Sequence, residues 1–252
     1  MTDIKAGSMH TTPARWRIAL TLMAGLAFAS PAHADSRRVG VTGFERLVVL
    51  GDMIVQVVPD RITYAQVEGE RDAIDALSLD VQDRTLTISQ SVLGRFGPRP
   101  TTAAPLTIRL HVPTVRLVAL RGTGSIDAHE LRGDDVRVEL TGQGRINARI
   151  SNGQSLTMRA NGSGTITMAG RSRDVSAYTD GPASIDASAL DAGNLTVRSS
   201  GSGTSNFKTN GPANVTAIGQ ASVVVTGRAR CTVHNISAGN VRCGDPTDRV
   251  AH

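Results

Sequence analysis

The sequence predicts an all-β chain, a single-stranded β-helix or β-solenoid with coils of about 20 residues and longer, wider N-terminal strands. Three observations carry this. A turn motif repeats as Arg121-Gly-Thr-Gly-Ser-Ile126, Thr141-Gly-Gln-Gly-Arg-Ile146 and Asn161-Gly-Ser-Gly-Thr-Ile166, then in altered form at Asp180–Ile185, Ser200–Ser205 and Ile218–Val223. Its first glycines fall at Gly122, Gly142, Gly162, Gly181, Gly201 and Gly219, so the steps are 20, 20, 19, 20 and 18. The same residue types also recur at the same level of each unit. One row reads Ile126, Ile146, Ile166, Ile185, Ser205, Val223 and the next Ala128, Ala148, Met168, Ala187, Phe207, Val225.

Strand alternation turns these two rows inward and the row between them, Asp127, Asn147, Thr167, Asp186 and Asn206, outward. A second strand follows about ten residues on in each coil. It is Val136-Arg-Val138-Glu-Leu140, then the segments opening at Leu156, Val175, Leu195 and Val215. No coil can bury its apolar row alone, and stacking buries it continuously, each isoleucine contributing roughly 1.5–3 kcal/mol. The glycines supply backbone turns at positive φ. A right-handed coil is expected, since parallel crossovers almost always have that hand. A β-sandwich of hairpins would also give regular short strands, but hairpins do not hold like residues at one level through five units. A Gly/Ser/Thr-rich linker would not carry aligned Ile and Val rows.

Taken in order, residues 1–34 read as a secretory signal. Arg15 and Arg17 form the positive flank, Ile18–Ala29 the apolar run, and Ala32-His33-Ala34 the cleavage site, leaving Asp35 as the new N-terminus. The apolar run is too short to span a membrane as a helix, and no later stretch replaces it in the mature chain. Losing Lys5, Arg15, Arg17 and Asp3 lowers the formal charge from +5 to +3. The remaining arginines are dispersed, so nucleic acid is not an expected partner.

Residues 35–252 are expected to form one solenoid domain, with Pro113 as the alternative boundary. Within it, 44–119 carries the longer strands: Phe44–Leu50, Met53–Val58, Leu77–Val81, Thr85–Ile88, Leu106–Val112 and Val115–Leu120. Asp72–Leu77 suits one helical turn, and Gly94–Pro105 a mobile loop. Residues 120–226 are the repeat coils. Residues 227–252 form a C-terminal cap holding Cys231 and Cys243, followed by a frayed tail. In an exported chain two lone cysteines read as a disulfide, closing a loop of about 13 residues worth about 3 kcal/mol. Such a cap would cover the open core and unpaired edge that end a solenoid.

With these features in place, the chain resembles the bacterial family called putative auto-transporter adhesin head GIN domain proteins, from about Phe44 to Val225. The residues that carry the resemblance are Phe44-Glu-Arg-Leu-Val-Val-Leu-Gly-Asp52, Asp83-Arg-Thr-Leu-Thr-Ile88, Leu110-His-Val-Pro-Thr-Val115 and the Gly-x-Gly-Ser/Thr-Ile turns. The resemblance implies an exported β-solenoid of the bacterial envelope and supplies no catalytic residues. Pro182-Ala183 and Ser205 depart from the idealised repeat and are expected to distort their coils.

The sequence offers no catalytic, cofactor-binding or metal-binding residues. The Gly-x-Gly turns lack a following helix and a lysine, which a phosphate cradle needs. Calcium-binding β-rolls need an aspartate in each turn, and the turns at Gly122, Gly142, Gly162 and Gly201 have none. A polysaccharide-cleaving β-helix needs converging carboxylates; Asp127 and Asp186 lie three coils apart, about 14 Å. His111, His129 and His234 show no carboxylate or cysteine partner at ligand spacing. One outward row, Glu139, Arg159, Tyr178 and Arg198, is a candidate binding face, in which Glu139 pairs with Arg159 and Tyr178 stacks between the arginines. It would take an acidic sugar or a lipid headgroup, and the partners expected of the chain as a whole are an envelope polysaccharide, an acidic sugar or a protein. The expected function is that of a non-enzymatic, exported envelope or surface protein, periplasmic or extracellular, that is adhesin-like or scaffolding. The alternatives are a carbohydrate-active β-helix enzyme and a periplasmic sensor or assembly partner.

Overall fold

The computed structural model describes residues 35–90, 105–235 and 239–244. The predicted signal segment with Ala34, most of the predicted 94–105 loop and the tail predicted from Pro246 onward lie outside the described residues. The chain opens with β1 (Asp35–Val39), β2 (Arg46–Gly51), β3 (Ile54–Pro59) and β4 (Tyr64–Gly69). A helical turn α1 (Arg71–Asp75) leads to β5 (Leu77–Gln82), β6 (Thr85–Gln90) and β7 (Thr107–Val112). The repeat region holds β8 (Leu117–Gly122), β9 (Ser125–Leu131), β10 (Asp135–Gly142), β11 (Arg145–Gly162), β12 (Thr165–Gly181) and β13 (Ser184–Gly201). It continues through β14 (Thr204–Thr209), β15 (Pro212–Gly219), β16 (Ser222–Thr226), β17 (Arg230–Asn235) and β18 (Asn240–Cys243).

These strands wind into a β-solenoid of about six turns. Each coil places one strand on either of two faces. The first face runs β5, β6, β2, β8, β10, the second halves of β11, β12 and β13, then β15 and β17. The second face runs β1, β4, β7, β3, β9, the first halves of β11, β12 and β13, then β14, β16 and β18. The strands β11, β12 and β13 bend around one edge of the coil, and their register shifts there, as between Ile150 and Gly153.

The other edge is the glycine turn. Gly51, Gly122 and Gly142 stack in register, as do Gly181, Gly201 and Gly219. The Gly122 carbonyl accepts the N–H groups of both Gln143 and Gly144, each at 3.0 Å, and the Gly142 carbonyl does the same for Ser163 and Gly164. Gly142 sits at φ +119, where a Cβ would meet the Gly122 oxygen at 2.5 Å. Glycine is therefore required by the neighbouring coil as much as by the turn itself.

Between the faces lies one hydrophobic cluster reaching from Val41 to Val225. Ile126, Ile146, Ile166 and Ile185 have no exposed surface. Ser205 takes the next place in that row and is equally buried, and Ile185, Ser205 and Val223 stay in register; the irregularity of this coil falls just beyond, where the pairing with β13 shifts between Ala187 and Asp191. Phe207, two residues on and fully buried, occupies the adjoining row where the coil before has Ala187. Volume lost in one row is regained in the next, which preserves packing. At Pro182 the turn changes differently, since proline has no N–H to offer the carbonyl of Gly162. Gly181 and Gly201 nevertheless stay in register.

The N-terminal part is arranged differently from its order in the chain. The coil made by β6 and β7 lies outside the coil made by β2 and β3, which is held between it and β8–β9. The outer coil is then closed by antiparallel strands: β5 on β6, β4 on β7, and β1 on β4. This ends the parallel ladder, and exposed Arg37 and Arg38 mark the outermost edge. At the other end, β17 and β18 add a further coil in the parallel register of β15 and β16. A disulfide joins Cys231 to Cys243.

Candidate functional site

The outward row predicted on the second strand of each coil is present. Glu139, Arg159, Tyr178 and Arg198 are register partners in succession on the first face. Their chain neighbours fix this orientation. Leu140, Ala160, Thr179 and Ser199 point inward and are buried, and the last two share a hydrogen bond of 2.6 Å between their hydroxyls. That bond satisfies two polar groups in the core which the apolar pattern alone had not separated from the surface.

The Arg159 guanidinium lies over the Tyr178 ring, 4.5 Å from its centroid. The expected pairing of Glu139 with Arg159 does not form among the described residues; the guanidinium turns to the ring instead. The row floors a shallow depression of about 460 Å³, lined also by Asp180. Two guanidiniums and two carboxylates therefore face the same space, together with a phenol hydroxyl. Such a surface can give and accept hydrogen bonds along a polar chain.

Asp127 and Asp186, on the second face, are linked through Asn147 and Thr167 and so stand three rungs apart, about 14 Å at the usual strand spacing. The Asp186 carboxylate accepts from the Ser188 hydroxyl at 2.7 Å. Among the described residues no group of His, Cys, Asp and Glu could hold a metal ion.

His111 has a partner that sequence spacing concealed. Its Nδ1 lies 3.1 Å from the Asp60 carboxylate, and its ring stacks on Tyr64 with centroids 4.2 Å apart. Arg38 covers Tyr64, 4.5 Å from the ring centroid. These groups come together because β4 pairs antiparallel with β7, opposing Tyr64 to His111. The backbone N–H of Ile62, helped by His111, holds the Asp60 carboxyl below the ordinary aspartate range. His129 Nδ1 lies 3.2 Å from the carbonyl oxygen of Val57.

A second depression, about 550 Å³, follows the bent edge near Asp134, Gln154, Arg171 and Arg173. Beside it Asp191 meets Lys208 at 2.8 Å and Arg171 at 3.9 Å. The Lys208 ammonium holds the Asp191 carboxyl below its ordinary value. No described helix is long and apolar enough to cross a membrane.

Solved structures share this architecture. A protein described as a putative adhesin from Bacteroides fragilis NCTC 9343 superposes with a TM-score of 0.73 at 19% identity, over 84% of this chain and 97% of that one. A putative adhesin from Parabacteroides merdae ATCC 43184 gives 0.65 at 15% identity, with the same two coverages. A putative lipid binding protein from Parabacteroides distasonis ATCC 8503 gives 0.65 at 15%, again over 84% and 97%. At such identities these likenesses bear on the fold alone. A comparison with curated proteins finds no match. The family model described as "Putative auto-transporter adhesin, head GIN domain" matches residues 43–229, so the chain belongs to that family.

Proposed function

We propose that this chain is a non-enzymatic, adhesin-like protein of the bacterial envelope, exported by cleavage after Ala34. Its work is binding through the rigid first face of the solenoid, at Glu139, Arg159, Tyr178 and Arg198. The partner is an envelope polysaccharide or a protein carrying acidic groups. The observation that carries this reading is the register of those four side chains on successive rungs, with Arg159 packed on Tyr178. A parallel ladder holds such side chains at fixed spacing, so little entropy is lost when an extended ligand lies along them. Family membership and the Cys231–Cys243 disulfide support export, since disulfides persist in oxidising compartments.

The test is cell fractionation with protease treatment of intact cells, followed by immunoblotting for the mature chain. Loss of the band places the protein at the surface. Protection until the outer membrane is opened places it in the periplasm and removes the adhesin reading.

A further inference from the structure

A second cluster of arginines on the first face lies outside the row just described. Arg46 of β2, Leu117 of β8 and Arg137 of β10 are successive register partners, so the two arginines stand two rungs apart on one outward row. Arg116, next to Leu117, joins them. Together with Asp135 they line a recess of about 250 Å³.

The charges in this recess do not balance. Asp135 accepts from Arg137 at 2.9 Å. Arg116 Nε lies 3.0 Å from Glu45 Oε2, and Glu45 is shared with Arg84. Arg46 makes no ion pair among the described residues. Three guanidiniums thus line a space with one carboxylate, whereas the depression at Tyr178 has two of each. Guanidinium forks favour planar or tetrahedral oxyanions, which they can bind by paired N–H donors.

We propose that the recess at Arg46, Arg116 and Arg137 binds a carboxylate or sulfate group carried on a linear acidic polysaccharide that lies along the solenoid axis. This rests on the reading of the first face as the adhesive one and names the chemistry of its ligand. The path continues from Arg137 to Glu139 two residues on, then to Arg159 and Arg198 on later rungs of the same face. Rungs repeat at about 4.8 Å, so an extended polymer lying along the axis meets these side chains in succession. A lipid surface fits less well. The large exposed apolar residues among the described ones, Ile62, Val81 and Val233, do not line the recess, whose one apolar lining residue, Leu117, is half-buried.

The experiment measures binding of the purified, disulfide-intact mature chain to polygalacturonate, dextran sulfate, neutral dextran and phosphatidylglycerol vesicles. Binding to one of the two acidic polymers, none to dextran, and loss of affinity on raising salt are expected. Arg46→Gln and Arg137→Gln each weaken binding about tenfold, with melting curves like the wild type. Arg145→Gln, on the second face, leaves it unchanged. The proposal is overturned if neither acidic polymer binds, if Arg46→Gln binds like the wild type, if Arg145→Gln weakens binding equally, or if vesicles bind in preference. Surface display by protease shaving with wild-type binding by Arg46→Gln would remove only the recess. Protection of the chain in intact cells with recess-dependent binding in vitro would remove only the adhesin reading.

Discussion

Cys231 and Cys243 tie the last strand of one face to the last strand of the other. Cys231 follows Ala213 in its inward row and Cys243 follows Val225, so the disulfide takes the place of core packing in the terminal coil. No further coil covers that end in the described residues, and Val233 is 42% exposed there. Reduction, or replacing both cysteines by serine, is expected to lower stability by about 3 kcal/mol. Urea denaturation of the oxidised and reduced chains measures this, and an unchanged midpoint would show that the clasp carries no stability.

Gly142 tests the turn ladder. Its φ of +119 and the 2.5 Å approach of an added Cβ to the Gly122 oxygen leave no room for a side chain. Gly142→Ala is expected to cost about 1–3 kcal/mol in backbone strain alone, with the contact adding to it. Ala183, which stands where Gly144 and Gly164 stand in other coils, is fully buried and tolerated. Ala183→Gly should therefore cost less than Gly142→Ala in the same thermal melt.

Ser205 and Phe207 test the exchange of volume between rows. The Ser205 hydroxyl is buried with no hydrogen-bond partner. Removing it in Ser205→Ala is expected to be neutral or stabilising, by up to about 1 kcal/mol. Phe207→Ala empties the neighbouring row and should cost about 3–5 kcal/mol. Equal melting temperatures for the two variants would refute the compensation.

Asp191 gives a pH prediction. Lys208 lowers its folded pKa, so its contribution is complete above the pKa of an unfolded aspartate and is lost as pH falls through the lower folded value. The carboxyl is exposed, so the effect on stability is small. The direct measurement is its NMR titration. Lys208→Met should move the midpoint upward, and an unmoved midpoint would exclude the pairing in solution.

The repeat coils were legible because stacking is a one-dimensional constraint. Each inward level meets only the same level of the next coil, so like residues recur at a fixed interval, as in Ile126, Ile146 and Ile166. The disulfide was legible because the sequence holds two cysteines and its first 34 residues read as a secretory signal. The N-terminal coils carry no such period. Tyr64–Gly69 is short and its alternation of Ala65 and Val67 is weak, and Asp35–Val39 has the polar pattern of an edge strand.

Sequence alone thus determined the solenoid, its inward rows and the outward row from Glu139 to Arg198, because these follow from strand alternation and a repeat length. Tertiary structure decided what depends on pairing between distant segments. It placed the β6–β7 coil outside β2–β3, opposed His111 to Tyr64 and Asp60, and set Arg46 on the outward row of Arg137, two rungs away. The physical reason is that strand pairing is selected by backbone hydrogen bonds and burial summed over whole edges, which no local pattern of residues records.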